Sequence, residues 1–438
     1  MSTERAKHQT VLGRLLGRVA LIEKHEMAAV IAAFLLFFFV LGGYFAVRPV
    51  RETVGTILGR DRVAHLYLWT WVGSLVIIPI YGWLVARLKR SVFLPLIYGF
   101  VAVSLAAIGV ALRANEGSIA IGQFFYVFIS ILSLFLTSVF WAFLLELFDS
   151  GQVKRLFGVI AAGGTAGALA GPGVTYLTVS TLGNGGVLFV GAAMFVVAVV
   201  CQQALLRIWK ARSTSPHEDR PIGGNPFAGF LLVLRSPYLL AIGLFVVLLA
   251  SASTFLYFEQ LRLVKATFAD TQERTKVFAA LDWIVQGLTI VCQLFLTGRI
   301  ASRLGVSVLL AIVPVIMIFG FLSLAVAGTF TVLAIVFVVR RVGEYAFVRP
   351  GREILFSRVD NETKYKAKNV VDVPVYRASD AITAQVSTAL EGGSLGTSAV
   401  ALIGAVVATV WAVNGWWLGK RSEALNRRSE VRGRRSEV

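Results

Sequence analysis

A run of about 20 apolar residues is long enough to cross a bilayer as one helix, and this chain carries twelve. They lie at 28–47, 64–86, 92–112, 119–145, 156–179, 186–209, 238–258, 277–297, 305–326, 330–348, 370–390 and 395–419. In hydrocarbon a backbone must satisfy its own polar groups, so each run is expected to be helical. Hydrophobic residues make up 57% of the chain, against about 45–50% in soluble globular proteins. The expected fold class is therefore an all-α integral membrane protein, with twelve transmembrane helices in two six-helix halves.

The longest polar interval between runs, Lys210 to Asn225, sets the division. Residues 1–26 read as an amphipathic cytoplasmic N-terminus, with Leu12, Leu15, Leu16, Val19 and Ile22 set against Arg14, Arg18 and Lys24. A six-helix bundle at 27–209, a linker at 210–228 and a second bundle at 229–419 follow. The basic, apolar-poor stretch 420–438 reads as a disordered cytoplasmic tail. Six plus six spans put both ends on one side. With that side cytoplasmic, inside segments hold 30 Lys and Arg and outside segments 9, the bias that orients inner-membrane proteins.

The net charge of +18 would suggest nucleic acid in a soluble chain. Here the basic residues cluster between apolar runs, so orientation explains them and no nucleic-acid partner is expected. Cys201 and Cys292 fall inside apolar runs, and the four histidines (8, 25, 65 and 217) show no ligand spacing. No metal, cofactor, phosphate-cradling loop or catalytic constellation is implied, and a membrane-embedded enzyme is the least expected class.

Two stretches 301 residues apart are near copies. Tyr44–Glu52 reads Tyr-Phe-Ala-Val-Arg-Pro-Val-Arg-Glu, and Tyr345–Glu353 reads Tyr-Ala-Phe-Val-Arg-Pro-Gly-Arg-Glu. Each places two arginines (Arg48 and Arg51; Arg349 and Arg352) where an apolar run ends, and the first and tenth helices can either stop there or continue through these boxes. Ionised groups within a span cost roughly 2.5–3.5 kcal/mol even on lenient insertion scales, which marks them as functional candidates. The tenth run adds Arg340, Arg341 and Glu344 near mid-depth. Glu344 can pair with either arginine at i+4 or i+3, leaving one guanidinium for an anion. The eleventh run holds Arg377 and Asp380 at i, i+3, with Asp372 eight residues before Asp380. Glu52, Glu146, Glu259 and Asp282 complete the acidic set from which a coupling or gating role could be drawn, since burial raises a carboxylate's pKa. Structural ion pairing and headgroup anchoring are the competing readings for all of these charges.

Two further patterns bear on architecture. Gly82-Trp-Leu-Val-Ala-Arg87 and Gly298-Arg-Ile-Ala-Ser-Arg303 share Gly-x-x-x-small-Arg 216 residues apart. This resembles the loop signature of the major facilitator superfamily, with Ala86 and Ser302 where that family has Asp. In the fifth run, Gly163, Gly167 and Gly171 at four-residue spacing let a neighbouring backbone approach closely.

Several stretches resemble the nucleotide transporter (ATP/ADP translocase) family, itself related to the major facilitator fold. Tyr44–Glu52 is similar to that family's motif at the end of the first span. Phe140-Trp141-Ala142-Phe143 with Lys154-Arg155, Arg235–Leu240, and Lys364–Asp372 resemble three more of its motifs, and Glu259 falls on its carboxylate at the exit of the seventh span. The chain departs from it at Phe128-Ile129-Ser130, where the family has a Glu, and at Ser379-Asp380-Ala381, where it has a Lys. The resemblance implies a monomeric secondary transporter in the inner membrane, moving a small anionic solute, nucleotide-like or otherwise phosphorylated, with protons as the candidate coupling ion. Open alternatives are a proton-coupled carrier of a different organic solute, and a transport-inactive scaffold or receptor.

Overall fold

The computed structural model describes residues 22–23, 25–87, 90–115, 117–210, 228–357, 359, 367–392 and 397–436. Most of the amphipathic N-terminal stretch, most of the 210–228 linker and Lys364–Lys366 lie outside the described residues. Among the described residues every regular element is helical. In chain order they are α1 (Met27–Leu58), α2 (Arg60–Arg87), α3 (Arg90–Ala114), α4 (Ile119–Leu147), α5 (Ser150–Lys210), α6 (Ala228–Arg235), α7 (Pro237–Thr267) and α8 (Thr271–Cys292). There follow α9 (Gly298–Arg303), α10 (Gly305–Ala327), α11 (Phe330–Gly343), α12 (Arg349–Phe356), α13 (Tyr376–Gly392) and α14 (Thr397–Ser436). Three π-helical turns, Gln293–Thr297, Glu344–Val348 and Val371–Val375, interrupt this order.

Eight described helices are long and apolar enough to cross a membrane. One of them, within α5, bends at Gly183, whose φ of 72° takes the left-handed conformation that glycine tolerates. The fifth and sixth expected runs lie on either side of this bend. The runs expected at 64–86, 330–348 and 370–390 are helical too, the last two broken by π turns among their charges. The protein is a multi-pass, all-α membrane protein.

The first span continues through its Arg-Pro box, one of the two outcomes the sequence leaves open: α1 runs to Leu58 with Pro49 inside it. Two expectations need correction. The stretch from 420 onward is not disordered, because α14 carries it to Ser436. An existing helix adds residues without a new nucleation step, and Ser422 there is fully buried. Gly82–Arg87 and Gly298–Arg303 are helical rather than loops; the chain turns after the second at Gly305, φ 84°.

The contacts divide the chain into two compact units. The first comprises Met1–Val50, Tyr81–Ile121 and Leu132–Pro221. Within it α1 packs against the first half of α5, and α3 against the second half, where a Cβ on Gly109 would sit 3.0 Å from the Gly185 carbonyl. A Cβ on Gly167 would strike the carbonyl oxygen of Phe38, and one on Gly171 the carbonyl of Gly42 at 2.5 Å. Thr175 Oγ1 donates to the Ala46 carbonyl at 2.6 Å, reinforcing the same approach. Phe37 stacks on Phe140 with centroids 4.0 Å apart. At the start of α1, Glu26 is buried and bound by Arg155 at 2.9 Å and by Gln152 at 2.9 Å. Burial alone would push its carboxyl up; these donors and the Glu23 backbone outweigh that and hold it below the usual range.

The second unit comprises Arg51–Ile80, Gly122–Ile131 and Ile222–Val438. Ser236 caps α7, accepting from Leu239 N with Pro237 at the first helical position, and Asp270 caps α8 by accepting from Glu273 N at 2.9 Å. Helices α10 and α14 pack closely: a Cβ on Gly415 would sit 3.0 Å from the Leu310 carbonyl. Phe245 meets Trp411 edge-on at 5.7 Å within this core. The early segments are tied in by the Thr53–Thr275 hydroxyl pair at 2.6 Å and by Gln385 Nε2 donating to the Ala64 carbonyl at 2.9 Å.

Close approach at the α1–α5 seam gives the first prediction. Gly167→Ala forces a methyl group onto backbone and should cost about 1–3 kcal/mol, seen as a lower unfolding temperature of the detergent-solubilised protein. Gly158→Ala, on the same helix with nothing within 4 Å of the added carbon, should be neutral or slightly stabilising.

Candidate functional site

The Arg-Pro box of α1 is helical, so Arg51 and Glu52 emerge from a single turn. Arg51 Nη2 meets Glu52 Oε1 at 2.5 Å, and Arg51 Nη1 donates to Ser130 Oγ at 3.2 Å. Tyr257 donates to the other Glu52 oxygen at 2.8 Å and shares a hydrogen bond with Tyr126 at 2.7 Å. The Arg51 guanidinium lies over the Tyr126 ring, 5.2 Å from its centroid. Each contact disperses charge that would otherwise be costly in hydrocarbon.

Arg51, Tyr126 and Ser130 of this group form one wall of a small open cavity within the second unit. Its lining is Arg51 from α1, Tyr67 and Thr70 from α2, Tyr126 and Ser130 from α4, and Arg377 and Asp380 from α13. Each pair is three or four residues apart and so shares a helix face. Thr254 Oγ1 donates to Asp380 Oδ1 at 2.9 Å, while Arg377 stands 3.5 Å from Asp380 Oδ2. The lining thus combines two guanidiniums, one carboxylate, two phenols and two hydroxyls.

A second charged cluster occupies α8, α11 and the following π turn. Arg340 pairs with Glu344 at 3.0 Å and donates to Ser253 Oγ. Arg341 turns instead to Asp282 on α8 at 2.8 Å, donates to the Tyr345 hydroxyl at 2.7 Å, and lies over the Phe337 ring. Glu344 is also 3.4 Å from Arg349. The expectation that Glu344 serves Arg340 and Arg341, with one of the two left over, is therefore corrected. Asp282 takes Arg341, and the further guanidinium is the half-exposed Arg349, seated over the Tyr345 ring at 4.4 Å.

The π turn has a local cause. Pro350 has no N–H for the carbonyl of Ala346 four residues back. Thr297 Oγ1, from the other π segment, donates to that carbonyl at 2.8 Å, and Gln293 Nε2 donates to the carbonyl of Tyr345 at 3.2 Å. Side chains here replace the hydrogen bonds that the backbone gave up.

The remaining expected residues are dispersed. Arg48 lies in the first unit, its guanidinium 5.9 Å from the Phe45 centroid, and does not line the cavity. Arg352 pairs with Asp372 at 3.1 Å, and Glu259 with its neighbour Arg262 at 2.5 Å. The side chain of Glu146 lies outside the described residues. Arg87 and Arg303 are exposed, and a Cβ on Gly298 would meet nothing within 4 Å. Among the described residues histidine approaches acids once: Glu23, His25 and Glu26 hold ligand-type atoms within 4.8 Å of one another. Arg155, at 2.9 Å from Glu26 and 3.5 Å from Glu23, already supplies the cation there. Tyr67, Thr70, Tyr126 and Tyr257 were not singled out by the sequence. The signal that could have found them is the helical spacing of hydroxyl-bearing residues inside apolar runs.

No protein-family model matches the chain, and no curated protein matches it. Solved structures do. The chain is similar to the nucleoside transporter NupG, at 16% identity over 90% of this chain and 99% of that one, with a TM-score of 0.62. It is also similar to a bacterial homologue of the iron transporter ferroportin (14%; 89% and 99%; 0.63) and to a POT family transporter in complex with 5-aminolevulinic acid (12%; 90% and 96%; 0.65). These are transporters of the major facilitator type, and the likeness shows that this chain has that fold.

The buried pairs differ in what they should tolerate. Asp282→Ala leaves Arg341 without its carboxylate and should cost about 3–5 kcal/mol, much of it recovered by Asp282→Leu combined with Arg341→Met. Glu259→Ala, at a partly exposed pair, should cost under about 1 kcal/mol. Thermal unfolding in detergent compares the three.

Proposed function

We propose that this chain is a secondary transporter of the inner membrane that moves a small solute bearing an anionic group by alternating access. The observation that carries the reading is the cavity within the second unit, where Arg51 and Arg377 share a wall with phenols and hydroxyls in an otherwise apolar helical fold. Ionised residues are retained inside spans chiefly where they serve a pathway, and guanidiniums suit carboxylates and phosphates through paired hydrogen bonds. The resemblance of Tyr44–Glu52 and Lys364–Asp372 to the nucleotide transporter family puts nucleotide-like and other phosphorylated compounds first among solutes to test. NupG, a neighbour in fold, is a nucleoside transporter.

A second reading within the same fold is a proton-coupled carrier of another organic solute. It is favoured by Asp380, a carboxylate on the cavity wall where the nucleotide carriers have a lysine. We also take the 30-to-9 excess of Lys and Arg on one side as the ground for placing both termini in the cytoplasm.

The test is uptake by proteoliposomes against a panel of nucleotides, sugar phosphates and carboxylates, with and without a pH gradient. Arg51→Ala and Arg377→Ala should each raise the KM for the transported solute about 10- to 150-fold, the worth of a charge-assisted contact. Arg48→Ala, which changes no cavity residue, should have the smallest effect of the three, and Arg51→Lys should be better tolerated than Arg51→Ala. Wild-type kinetics in both Arg51→Ala and Arg377→Ala would remove the cavity from the pathway.

A further inference from the structure

The charges around the cavity come as pairs of unequal quality. Arg51 and Glu52 are in contact at 2.5 Å, and Glu52 is completed by Tyr257. In the neighbouring cluster Arg340–Glu344 and Arg341–Asp282 close at 3.0 and 2.8 Å. The pair on the cavity wall, Arg377 and Asp380, stands at 3.5 Å, outside good charge-assisted hydrogen-bond distance. Of the Asp380 oxygens, Oδ1 takes the Thr254 hydroxyl and Oδ2 faces Arg377. A loose pair of opposite charges on one helix face, both members lining the same cavity, offers an acceptor and a donor to whatever enters.

The balance of charge narrows what that can be. Arg51 with Glu52 and Arg377 with Asp380 leave the wall close to neutral. A pure anion on Arg377 would set its charge beside the Asp380 carboxylate and leave a net negative charge in a low-dielectric site. A molecule carrying both signs would replace one loose contact with two tight ones and bury no net charge.

We propose that the transported solute is a small zwitterion of the amino-acid type, its carboxylate held by Arg377 and its ammonium by Asp380. The inference rests on the transport reading above and refines it: the anionic group is one end of a molecule whose other end is cationic. Tyr67 and Tyr126 supply phenol faces and hydroxyls to the body of the ligand, and Ser130 and Thr70 line the same space.

The experiment uses the full chain, both solubilised and in proteoliposomes. The probes are glycine, L-alanine and L-phenylalanine, each beside its deaminated acid (acetate, propionate, 3-phenylpropionate) and its decarboxylated amine, with inorganic phosphate and AMP as pure anions. Binding is read by thermal shift and transport by uptake. At least one amino acid should bind about tenfold or more tightly than both of its singly charged counterparts, the worth of one charge-assisted contact. Asp380→Asn should erase the preference over the acid while keeping or improving binding of the acid itself, which shows that the variant is folded. Arg377→Gln should erase the preference over the amine. The proposal is overturned if the acids bind as well as the amino acids, or if no amino acid in the series binds. Uptake of phosphate or AMP without any amino acid would overturn it and leave the transport reading standing.

Discussion

The second unit depends on one constraint: a guanidinium carried among apolar helices must find polar partners there, and for five of them the partner is a carboxylate. Arg51 with Glu52, Arg340 with Glu344, Arg341 with Asp282, Arg352 with Asp372 and Arg377 with Asp380 all obey it. Removing one partner from such a pair is more damaging than never having had the pair, because the remaining charge cannot recover its hydration. The charges therefore fix which helices can neighbour one another in the second unit. Asp282 ties α8 to α11, and Tyr257 on α7 reaches the Glu52 carboxylate on α1.

The first unit is specified differently. Its α1–α5 seam is built from glycines and close backbone contact, with the Glu26–Arg155 pair at one end. Gly163, Gly167 and Gly171 bring α5 against α1 so closely that the next heavy atoms are main-chain carbonyls of Phe34, Phe38 and Gly42. Without a hydrophobic driving force between helices in lipid, such close packing and hydrogen bonds like Thr175 to Ala46 supply the specificity.

How much of this was legible in the sequence depended on the range of each interaction. Run length and hydropathy found the helices, and four-residue spacing exposed both the glycine seam and the Arg340–Glu344 pair. The Arg341–Asp282 pair joins residues 59 apart, and no local spacing announces it; Arg341 was expected to compete for Glu344 instead. The cavity was half visible. Its arginines and Asp380 stood out as charges in apolar runs, whereas Tyr67, Thr70 and Tyr126 are ordinary in a spanning helix until several helices are seen to turn them inward. Arg48 and Arg51 read as one device because they share a box, yet only Arg51 lines the cavity. The Gly-x-x-x-small-Arg repeats read as loops by family likeness, but neither contains a residue that must end a helix. The basic tail read as disordered from its composition, which overlooks that α14 enters it already formed.

The central claim is that the cavity of Arg51, Arg377 and Asp380 is an alternately exposed solute site. Ser130 is a sharp reporter of it, being buried and part of the wall. In a chain with Cys201 and Cys292 replaced by serine, Ser130→Cys can be challenged with a membrane-impermeant thiol reagent from either side of the vesicle. The account predicts labelling from both sides, slowed by any solute that the protein transports. Labelling from one side alone, or a rate that the transported solute leaves unchanged, would contradict it.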